Sequence, residues 1–435
     1  MKSPKGMPKG VAEAEIVEIV RVGQEGDGIA ALADGTPLFV PFGLPGERAM
    51  VRPVARRGDG FAAHIEQIER SSLERVPAAC QHFGICGGCA LQHWDATAYA
   101  AWKTSLLDSA LRRAGFTTPL SPIVITPPHS RRRMDLAIRR TPAGIVLGLH
   151  TARDKTVIDL VECTVLHPTL AALLPKLREV LRRLQALGHE GSAIVNLLDS
   201  GPDILLRTDK KLAVSDRTIL AAFANDNGVP RVSWAHNTAL PETAALLRPA
   251  TTSLAGTPVI PPAGGFLQAS REGEAAIVGA VMAGLPPKPT AKARVLELFA
   301  GSGTLTFAIA KHMRVHAVEG DVAACASLKG AANATLQTGR ITTEHRDLTR
   351  QPLSAKEVSA FDTVVLDPPH GGAPAQIALI AASTIKRVIY VSCNPTALGR
   401  DALALKQAGF KLASSVPVDQ FLWSARLESV SVFVK

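Results

Sequence analysis

The segment Arg294-Val-Leu-Glu-Leu-Phe-Ala-Gly-Ser-Gly-Thr-Leu-Thr306 decides the fold class of the second half of this chain. Its apolar start, Arg294 to Leu298, is typical of a short buried strand, and the glycine-rich turn that follows leads into a helix. Glycines let the backbone of such a turn pass close to a ligand. The turn lacks the complete Gly-x-Gly-x-x-Gly pattern, and no Gly-Lys-Ser/Thr triphosphate sequence follows it. The segment therefore predicts the first strand and the nucleotide-binding turn of a parallel sheet.

Strand and helix patterns alternate regularly on both sides of this turn. The predicted strands cover 294–298, 315–319, 341–345, 363–367, 387–392 and 429–434. Such alternation predicts a doubly wound, Rossmann-like α/β sheet, with the last strand reversed at an edge.

Acidic residues follow the first three strands. Glu297 lies at the end of strand one, Glu319 ends strand two where a ribose-binding carboxylate belongs, and Asp347 follows strand three. These acids disfavour a phosphate-rich ligand and suit a ribose, an adenine amino group and a cationic sulfonium, as in S-adenosylmethionine. The alternative is that Glu319 and Asp347 are solvated loop acids. The predicted cofactor contacts at this edge are Phe299, Gly301, Gly303, Glu319, Asp347 and Asp367.

Two further residues with reactive side chains follow strands four and five. Asp367-Pro-Pro ends strand four, and Cys393-Asn-Pro follows strand five, so both side chains belong at the ligand-binding edge. A thiolate is useful when the acceptor is an unreactive carbon, because its addition to carbon 6 of uracil makes carbon 5 nucleophilic. Asp367 could then orient the ring, and Glu428 is a candidate base for the carbon 5 proton. The alternative is that Cys393 is a structural cysteine.

Composition indicates a polyanionic partner. The 435 residues suggest two or three domains, and 48 Lys and Arg against 38 Asp and Glu give a net charge of +10. Nucleic acid is the leading candidate, although a basic surface also aids solubility. We find neither a secretory signal nor an apolar run long enough for a bilayer, and we expect a cytoplasmic, monomeric protein without membrane contacts.

The first part of the chain is rich in short β-like runs. They extend from Ala14 to about Glu69, are separated by Gly and Pro turns, and predict a small OB-like barrel that holds RNA through Arg52, Arg56 and Arg57. An unrelated β-module fits the pattern equally well. A helix is predicted from about 95 to 114, with Lys103 on its solvated side. The middle region mixes strands and a helix and carries no catalytic signature.

Four cysteines are candidate ligands of a metal site. Cys80, Cys86 and Cys89 lie on one predicted loop, and Cys163 is the remaining candidate ligand. Four thiolates can hold zinc or a 4Fe-4S cluster, and a compact triplet with one remote cysteine favours the cluster. Free thiols are the alternative. Cys325 is predicted to be helix core.

Together these motifs resemble the S-adenosylmethionine-dependent RNA uracil-5 methyltransferases, particularly the bacterial 23S ribosomal RNA branch that carries an iron-sulfur cluster. The resemblance covers nearly the whole chain. It implies a TRAM domain of OB type over residues 1–73, an RNA-facing central domain with a 4Fe-4S cluster over 74–265, and a methyltransferase domain over 266–435. The helix at 95–114 is expected to pack on the methyltransferase domain.

The resemblance also implies roles for single residues. Asp367, Cys393 and Glu428 take the roles of base orienter, nucleophile and proton acceptor. Gln268, in Gly264-Gly-Phe-Leu-Gln268, would touch the cofactor or the target base. The run Arg131-Arg-Arg133 would face RNA, its alternative being a solvated charge run. The implied cofactors are S-adenosylmethionine and the cluster.

This chain departs from the family's pattern at several positions. His370 stands where the family usually places Arg, Ser270 replaces an Asn, and Leu422-Trp-Ser-Ala425 replaces a Pro-His-Thr-containing stretch. A transfer RNA methyltransferase with the same chemistry and a catalytically silent RNA-binding protein therefore stay open as alternatives.

Overall fold

The computed structural model describes residues 13–152, 154–290 and 292–435. The basic start of the chain, residues 1–10, lies outside the described residues. Three large sheets and one two-stranded hairpin organise the described part of the chain. Within these residues no helix is long and apolar enough to cross a membrane.

The first sheet is curled around its own apolar core. Its six strands lie in the order β1-β5-β6-β4-β3-β2, and all neighbours are antiparallel except β4 and β6. The core contains Ile19, Leu38, Val40 and Val51. The strands are β1 (Glu15–Glu18), β2 (Arg21–Val22), β3 (Gly28–Ala31), β4 (Pro37–Val40), β5 (Arg48–Arg57) and β6 (Gly60–Arg70).

Helix α1 (Ala96–Arg113) connects this sheet to the rest of the molecule and begins at Asp95, whose side chain caps its first backbone amides. Leu107 and Leu111 of α1 pack in the core of the third sheet. The prediction that Lys103 is solvated was wrong, because its ammonium group is buried 2.9 Å from the Asp419 carboxylate. The helical pattern could not show a partner so distant in sequence.

The second sheet is formed by the middle of the chain and is covered by two helices, α2 (Pro168–Arg183) and α3 (Val214–Asp226). The sheet has the order β10-β9-β8-β11-β12-β13-β14. Strand β7 (Val124–Ile125) precedes it and joins the third sheet. The remaining strands are β8 (Arg133–Thr141), β9 (Gly144–His150), β10 (Val157–Asp159), β11 (Glu190–Leu198), β12 (Gly201–Thr208), β13 (Arg231–His236) and β14 (Glu242–Leu246); the hairpin β15 (Thr252–Leu254) and β16 (Thr257–Val259) follows.

The third sheet has the order β19-β18-β17-β20-β21-β23-β22-β7. Its first five strands are parallel, and apolar clusters cover both faces. Helices α1, α8 and α9 contribute to one cluster, and α4, α5 and α6 to the other. The elements are α4 (Arg271–Gly284), β17 (Arg294–Leu298), α5 (Thr304–Ala310), β18 (Arg314–Glu319), α6 (Val322–Ala334), β19 (Ile341–His345), α7 (Ala355–Val358), β20 (Thr363–Leu366), α8 (Pro374–Ala381), β21 (Arg387–Ser392), α9 (Pro395–Gln407), β22 (Lys411–Asp419) and β23 (Glu428–Val434).

The six predicted strands of this sheet are confirmed within about one residue, and Cys325 is buried in α6 as predicted. The last strand is antiparallel as predicted, but its predicted edge position was wrong. β23 lies between β21 and β22. Strand β22 escaped prediction because Ser414, Ser415 and Pro417 interrupt its apolar pattern.

Candidate active site

Strand order gathers the candidate residues at one edge of the third sheet. β17, β20 and β21 are parallel neighbours, so the residues that follow them, including Asp367 and Cys393, lie at their carboxyl ends. β23 runs the other way, and its first residue, Glu428, therefore reaches the same edge. An antiparallel strand thus adds a carboxyl group to a parallel-sheet site.

The glycine turn after β17 has the strained backbone that close ligand approach requires. Gly301 and Gly303 have φ angles of 56° and 104°, and Phe299 also has a positive φ of 63°. A Cβ atom at Gly303 would lie 2.6 Å from the Phe307 ring. The Glu319 carboxylate at the end of β18 accepts hydrogen bonds from the amides of Gly301, at 2.7 Å, and Asp321, at 2.6 Å. The turn and this acid therefore form one unit.

Asp347 belongs to a different local structure. Its exposed carboxylate accepts a hydrogen bond from the Thr349 amide at 3.0 Å and lies 3.5 Å from the Arg350 guanidinium. Its side chain thus caps its own loop, although its backbone lies near Gly320 beside the end of β18.

Two glutamines connect the acids of the site. Gln420 donates from Nε2 to the Gln268 side-chain oxygen at 2.7 Å and to the Glu428 carboxylate at 2.9 Å. Gln268 in turn points its amide nitrogen at the Asp367 carboxylate, at 3.5 Å. No role was predicted for Gln420 from the sequence.

Buried carboxyl groups give the site a preference for cationic ligands. Burial raises the pKa of Glu297 to about 8, and it also raises the pKa values of Asp367 and Glu428, with Asp367 adding to the effect on Glu428. Among the described residues, Glu297 Oε2 and Glu428 Oε1 have no hydrogen-bond partner. A positively charged ligand would favour the ionised forms of all three groups.

The thiol of Cys393 lies half-buried beside these acids. Burial, followed by the charges of Glu428 and Asp367, raises its pKa to about 11. His370 lies 3.8 Å from the sulfur, and its other ring nitrogen contacts Arg426. His370 appeared in the sequence only as a departure from the family pattern, and Arg426 was not singled out at all.

The loop between β22 and β23 is anchored from outside the sheet. Asp419 receives hydrogen bonds from Tyr99 and Lys103 of α1, and the Trp423 amide donates to the Tyr99 hydroxyl at 2.8 Å. Leu422 and Trp423 pack against the Trp94, Tyr99 and Trp102 cluster. The unusual stretch Leu422 to Ala425 is therefore a packed part of the site wall.

Ser270, the third departure, has a structural explanation. Its hydroxyl accepts a hydrogen bond from the Gly273 amide at 2.9 Å and so caps α4.

The arginine run is only partly available to RNA. Arg132 is 2% exposed, pairs with Glu274 at 2.6 Å and donates to the Gln268 carbonyl. Arg133 donates to the Gly265 carbonyl at 2.6 Å. These two side chains thus support the segment that carries Gln268. Arg131 lines a cavity of about 560 Å³ together with Cys163, Gln420 and Arg426.

The four cysteines predicted to bind a cluster influence one another electrostatically. Burial raises the pKa of Cys89 to about 12, and the thiols of Cys163, Cys86 and Cys80 add to this effect. The Gly88 amide donates to the Cys86 sulfur at 3.4 Å. Within the described ranges, no three His, Cys, Asp or Glu side chains are arranged to hold a metal ion. The four thiols lie in one region of the molecule, but their sulfur atoms are not arranged as the ligands of a metal ion.

Known proteins resemble this chain over nearly its full length. It is 38% identical over 420 residues to an uncharacterized RNA methyltransferase of Brucella suis, covering 96% of this chain and 97% of the relative. It is 33% identical over 444 residues to the 23S rRNA (uracil(1939)-C(5))-methyltransferase RlmD of Chromohalobacter salexigens, covering 98% and 90%. Residues 278–394 match the family described as Conserved hypothetical protein 95.

A solved structure shares the fold over nearly the whole length of this chain. The tRNA (uracil-54, C5)-methyltransferase of Pyrococcus abyssi, in complex with S-adenosyl-L-homocysteine, superposes with a TM-score of 0.71 at 20% identity, covering 97% of this chain and 100% of that chain.

Proposed function

This chain belongs to the S-adenosylmethionine-dependent RNA uracil-5 methyltransferase family, and from this premise we propose that it methylates carbon 5 of a uridine in 23S ribosomal RNA. The observation that supports this reaction best is the meeting of the Cys393 thiol with Asp367 and Glu428 beside the glycine turn. Methylation at an exocyclic nitrogen would leave the thiol without a task.

The residues present fit S-adenosylmethionine. The turn containing Gly301 and Gly303, together with Glu319, would hold the nucleoside part, and the buried carboxyl groups suit the sulfonium. When bound, this cofactor supplies the methyl group. Asp347 contributes through the loop that its carboxylate caps.

Cys393 acts as the nucleophile in this proposal. Its thiolate adds to carbon 6 of the uracil, and the electron pair displaced from the double bond makes carbon 5 an enolate carbon that accepts the methyl group. Glu428 then removes the carbon 5 proton, the double bond re-forms, and the thiolate leaves. Asp367, held by Gln268, accepts the N3 hydrogen and orients the ring.

Methyl transfer with a matched pair of cysteine variants tests this function. Wild type, Cys393→Ala and Cys325→Ala are each incubated with labelled S-adenosylmethionine and unmodified ribosomal or transfer RNA transcripts, and nucleosides are identified by mass spectrometry. We expect 5-methyluridine in ribosomal RNA from wild type and Cys325→Ala only. Labelling of transfer RNA alone would support the alternative substrate. No labelling by folded, cofactor-bound protein would favour a silent RNA-binding protein.

We also propose that Cys80, Cys86, Cys89 and Cys163 hold a 4Fe-4S cluster in preference to zinc. The support is the gathering of four thiols and the amide that donates to Cys86. Protein purified without oxygen should contain about four iron and four sulfide per chain, and Cys86→Ser should lose both while Cys325→Ser keeps them. Stoichiometric zinc without sulfide would refute the cluster.

The remaining proposals concern RNA. The curled sheet would act as a TRAM-type RNA-binding domain within residues 1–73, and residues 74–265 and 266–435 would form the central and catalytic domains. Arg131 is the member of the arginine run that we place at the RNA surface, because it lines the cavity beside Arg426. The Arg131→Gln variant should bind RNA more weakly with a smaller salt dependence.

A further inference from the structure

A histidine and an arginine form a chain of contacts that ends at the Cys393 sulfur. His370 follows the two prolines after Asp367, and Arg426 lies two residues before β23 begins. Nδ1 of His370 lies 3.8 Å from Sγ of Cys393, and Nε2 lies 2.8 Å from Nη1 of Arg426. The imidazole therefore lies between a guanidinium group and the reactive sulfur.

The neighbours of Nε2 decide which ring nitrogen carries the proton. A guanidinium group only donates hydrogen bonds, so Arg426 requires a lone pair on Nε2. The Asn394 amide nitrogen, oriented by its 3.0 Å hydrogen bond to the His370 carbonyl, is a second donor 3.4 Å from Nε2. A neutral imidazole has one donor and one acceptor, and the proton therefore lies on Nδ1, facing the sulfur.

The Nδ1 proton of the neutral ring decides what His370 can do for the sulfur. Because Nδ1 already holds the proton of the neutral ring, His370 cannot accept the thiol proton there. The geometry excludes a Cys–His acid–base pair and leaves a hydrogen-bond donor aimed at the sulfur.

The thiolate needs such a donor. Burial raises the pKa of Cys393, the nearby acids Glu428 and Asp367 raise it further, and Arg426 opposes them. These three groups face the sulfur from β20, β23 and their loops, and Glu25, from the loop between β2 and β3, lines the same small cavity as Cys393 and Arg426. His370 and Asn394 also lie beside the sulfur. Since the thiolate is the attacking form, a hydrogen bond to sulfur favours the reactive state.

We propose that His370 is a further catalytic residue, which donates its Nδ1 hydrogen to the Cys393 thiolate, and that Arg426 is a positioning residue that holds the required tautomer. This inference rests on the proposed nucleophilic role of Cys393. The thiol proton passes to water before RNA is attacked. A sulfur electron pair then forms the bond to carbon 6 while the pair of the carbon 5–carbon 6 double bond moves into the enolate.

The same donor assists the final step. After Glu428 takes the carbon 5 proton, that electron pair re-forms the double bond, the sulfur–carbon 6 bond breaks, and the thiolate returns to the Nδ1 hydrogen. His370 keeps its proton throughout, so the net reaction consumes uridine and S-adenosylmethionine and releases 5-methyluridine, S-adenosylhomocysteine and one proton.

Alkylation of Cys393 without RNA tests the donor directly. Iodoacetamide modification is followed from about pH 6 to about pH 9 by mass spectrometry of the peptide that contains Cys393. In this range, below the thiol pKa of about 11, the rate is proportional to the thiolate fraction, so a tenfold change in rate measures a shift of about one unit in the ionisation midpoint. We expect His370→Ala to slow alkylation near neutral pH about tenfold, because its midpoint rises by about one pH unit. His370→Asn should recover most of the rate, since the amide can accept from Arg426 through oxygen and donate to sulfur through nitrogen.

Arg426 is tested by a double-variant cycle. If Arg426 acts through His370, the effects of His370→Ala and Arg426→Met on the alkylation midpoint are less than additive in the double variant. Alkylation of the Cys325 peptide in the same samples is the internal control, and S-adenosylhomocysteine binding reports folding.

Specific outcomes would overturn the proposal. An unchanged midpoint in folded His370→Ala, or a failure of folded His370→Asn to recover the rate, would remove the donor role. Full additivity would remove the positioning role of Arg426. Because the assay contains no RNA, failure of wild type to methylate RNA would count against the proposed function and leave this test unaffected.

Discussion

The ion pair between Lys103 and Asp419 should be essential for the stability of the catalytic sheet, and Lys103→Met tests this. Both side chains are 0% exposed and their charged atoms lie 2.9 Å apart. Burial lowers the pKa of Lys103 while Asp419 opposes the shift. Removing the cation leaves a buried carboxylate whose one remaining side-chain hydrogen bond, among the described residues, comes from the Tyr99 hydroxyl, at a cost of about 3–5 kcal/mol.

That cost predicts a clear thermal shift. A loss of this size lowers the melting temperature of the proposed catalytic domain over residues 266–435, roughly 170 residues, by roughly 10 °C, which differential scanning calorimetry resolves. Methyl transfer should fall as well, because Lys103 also donates to the Arg426 carbonyl and so holds the loop that carries Arg426. Asp419→Asn added to Lys103→Met should restore part of the stability, since it removes the uncompensated charge.

An exposed ion pair on the same helix is the matched control. Arg112 lies 2.6 Å from Asp108 with its side chain 57% exposed, and Arg112→Met should leave the melting temperature nearly unchanged. Equal melting temperatures for Lys103→Met and Arg112→Met would refute the reasoning that burial makes the first pair indispensable.

Three further predictions concern the cofactor edge. The folded protein keeps a proton on Glu297 that the unfolded chain releases, so the free energy of unfolding should fall as the pH rises from 4.5 to about 8. Glu297→Gln should make the free energy of unfolding less dependent on pH in this range, as measured by urea titrations. Gly303→Ala should destabilise the protein by about 1–3 kcal/mol through its φ of 104° and the Phe307 contact, whereas Gly279→Ala, in an open helix position, should stabilise it by about 0.5–1 kcal/mol. Glu319→Gln should weaken S-adenosylhomocysteine binding about tenfold in calorimetry, and unchanged affinity would exclude it from the cofactor site.

The local pattern of the sequence was sufficient for the parallel part of the catalytic sheet. Apolar runs bounded by turns predicted the bounds of strands β17 to β21 within about one residue. Because Asp367 and Cys393 follow two of these strands, both were predicted at the same edge of the sheet. Side-chain burial, a glycine in a tight turn and the direction of a strand all depend on residues that are neighbours in the chain. The chemistry of the proposed reaction pointed to Glu428, and the family resemblance added Gln268; the structure then supplied the contacts of both with Gln420.

Only the tertiary structure decided the parts of the site that depend on distance in space. The position of β23 between β21 and β22 determines where Glu428 lies, and it escaped prediction because β22 has an interrupted apolar pattern. Lys103 meets a partner 316 residues away, and Arg426 contacts a ring 56 residues away. Charge, burial and tautomer are set by whichever groups packing brings within a few ångströms, and no periodicity along the chain carries that information.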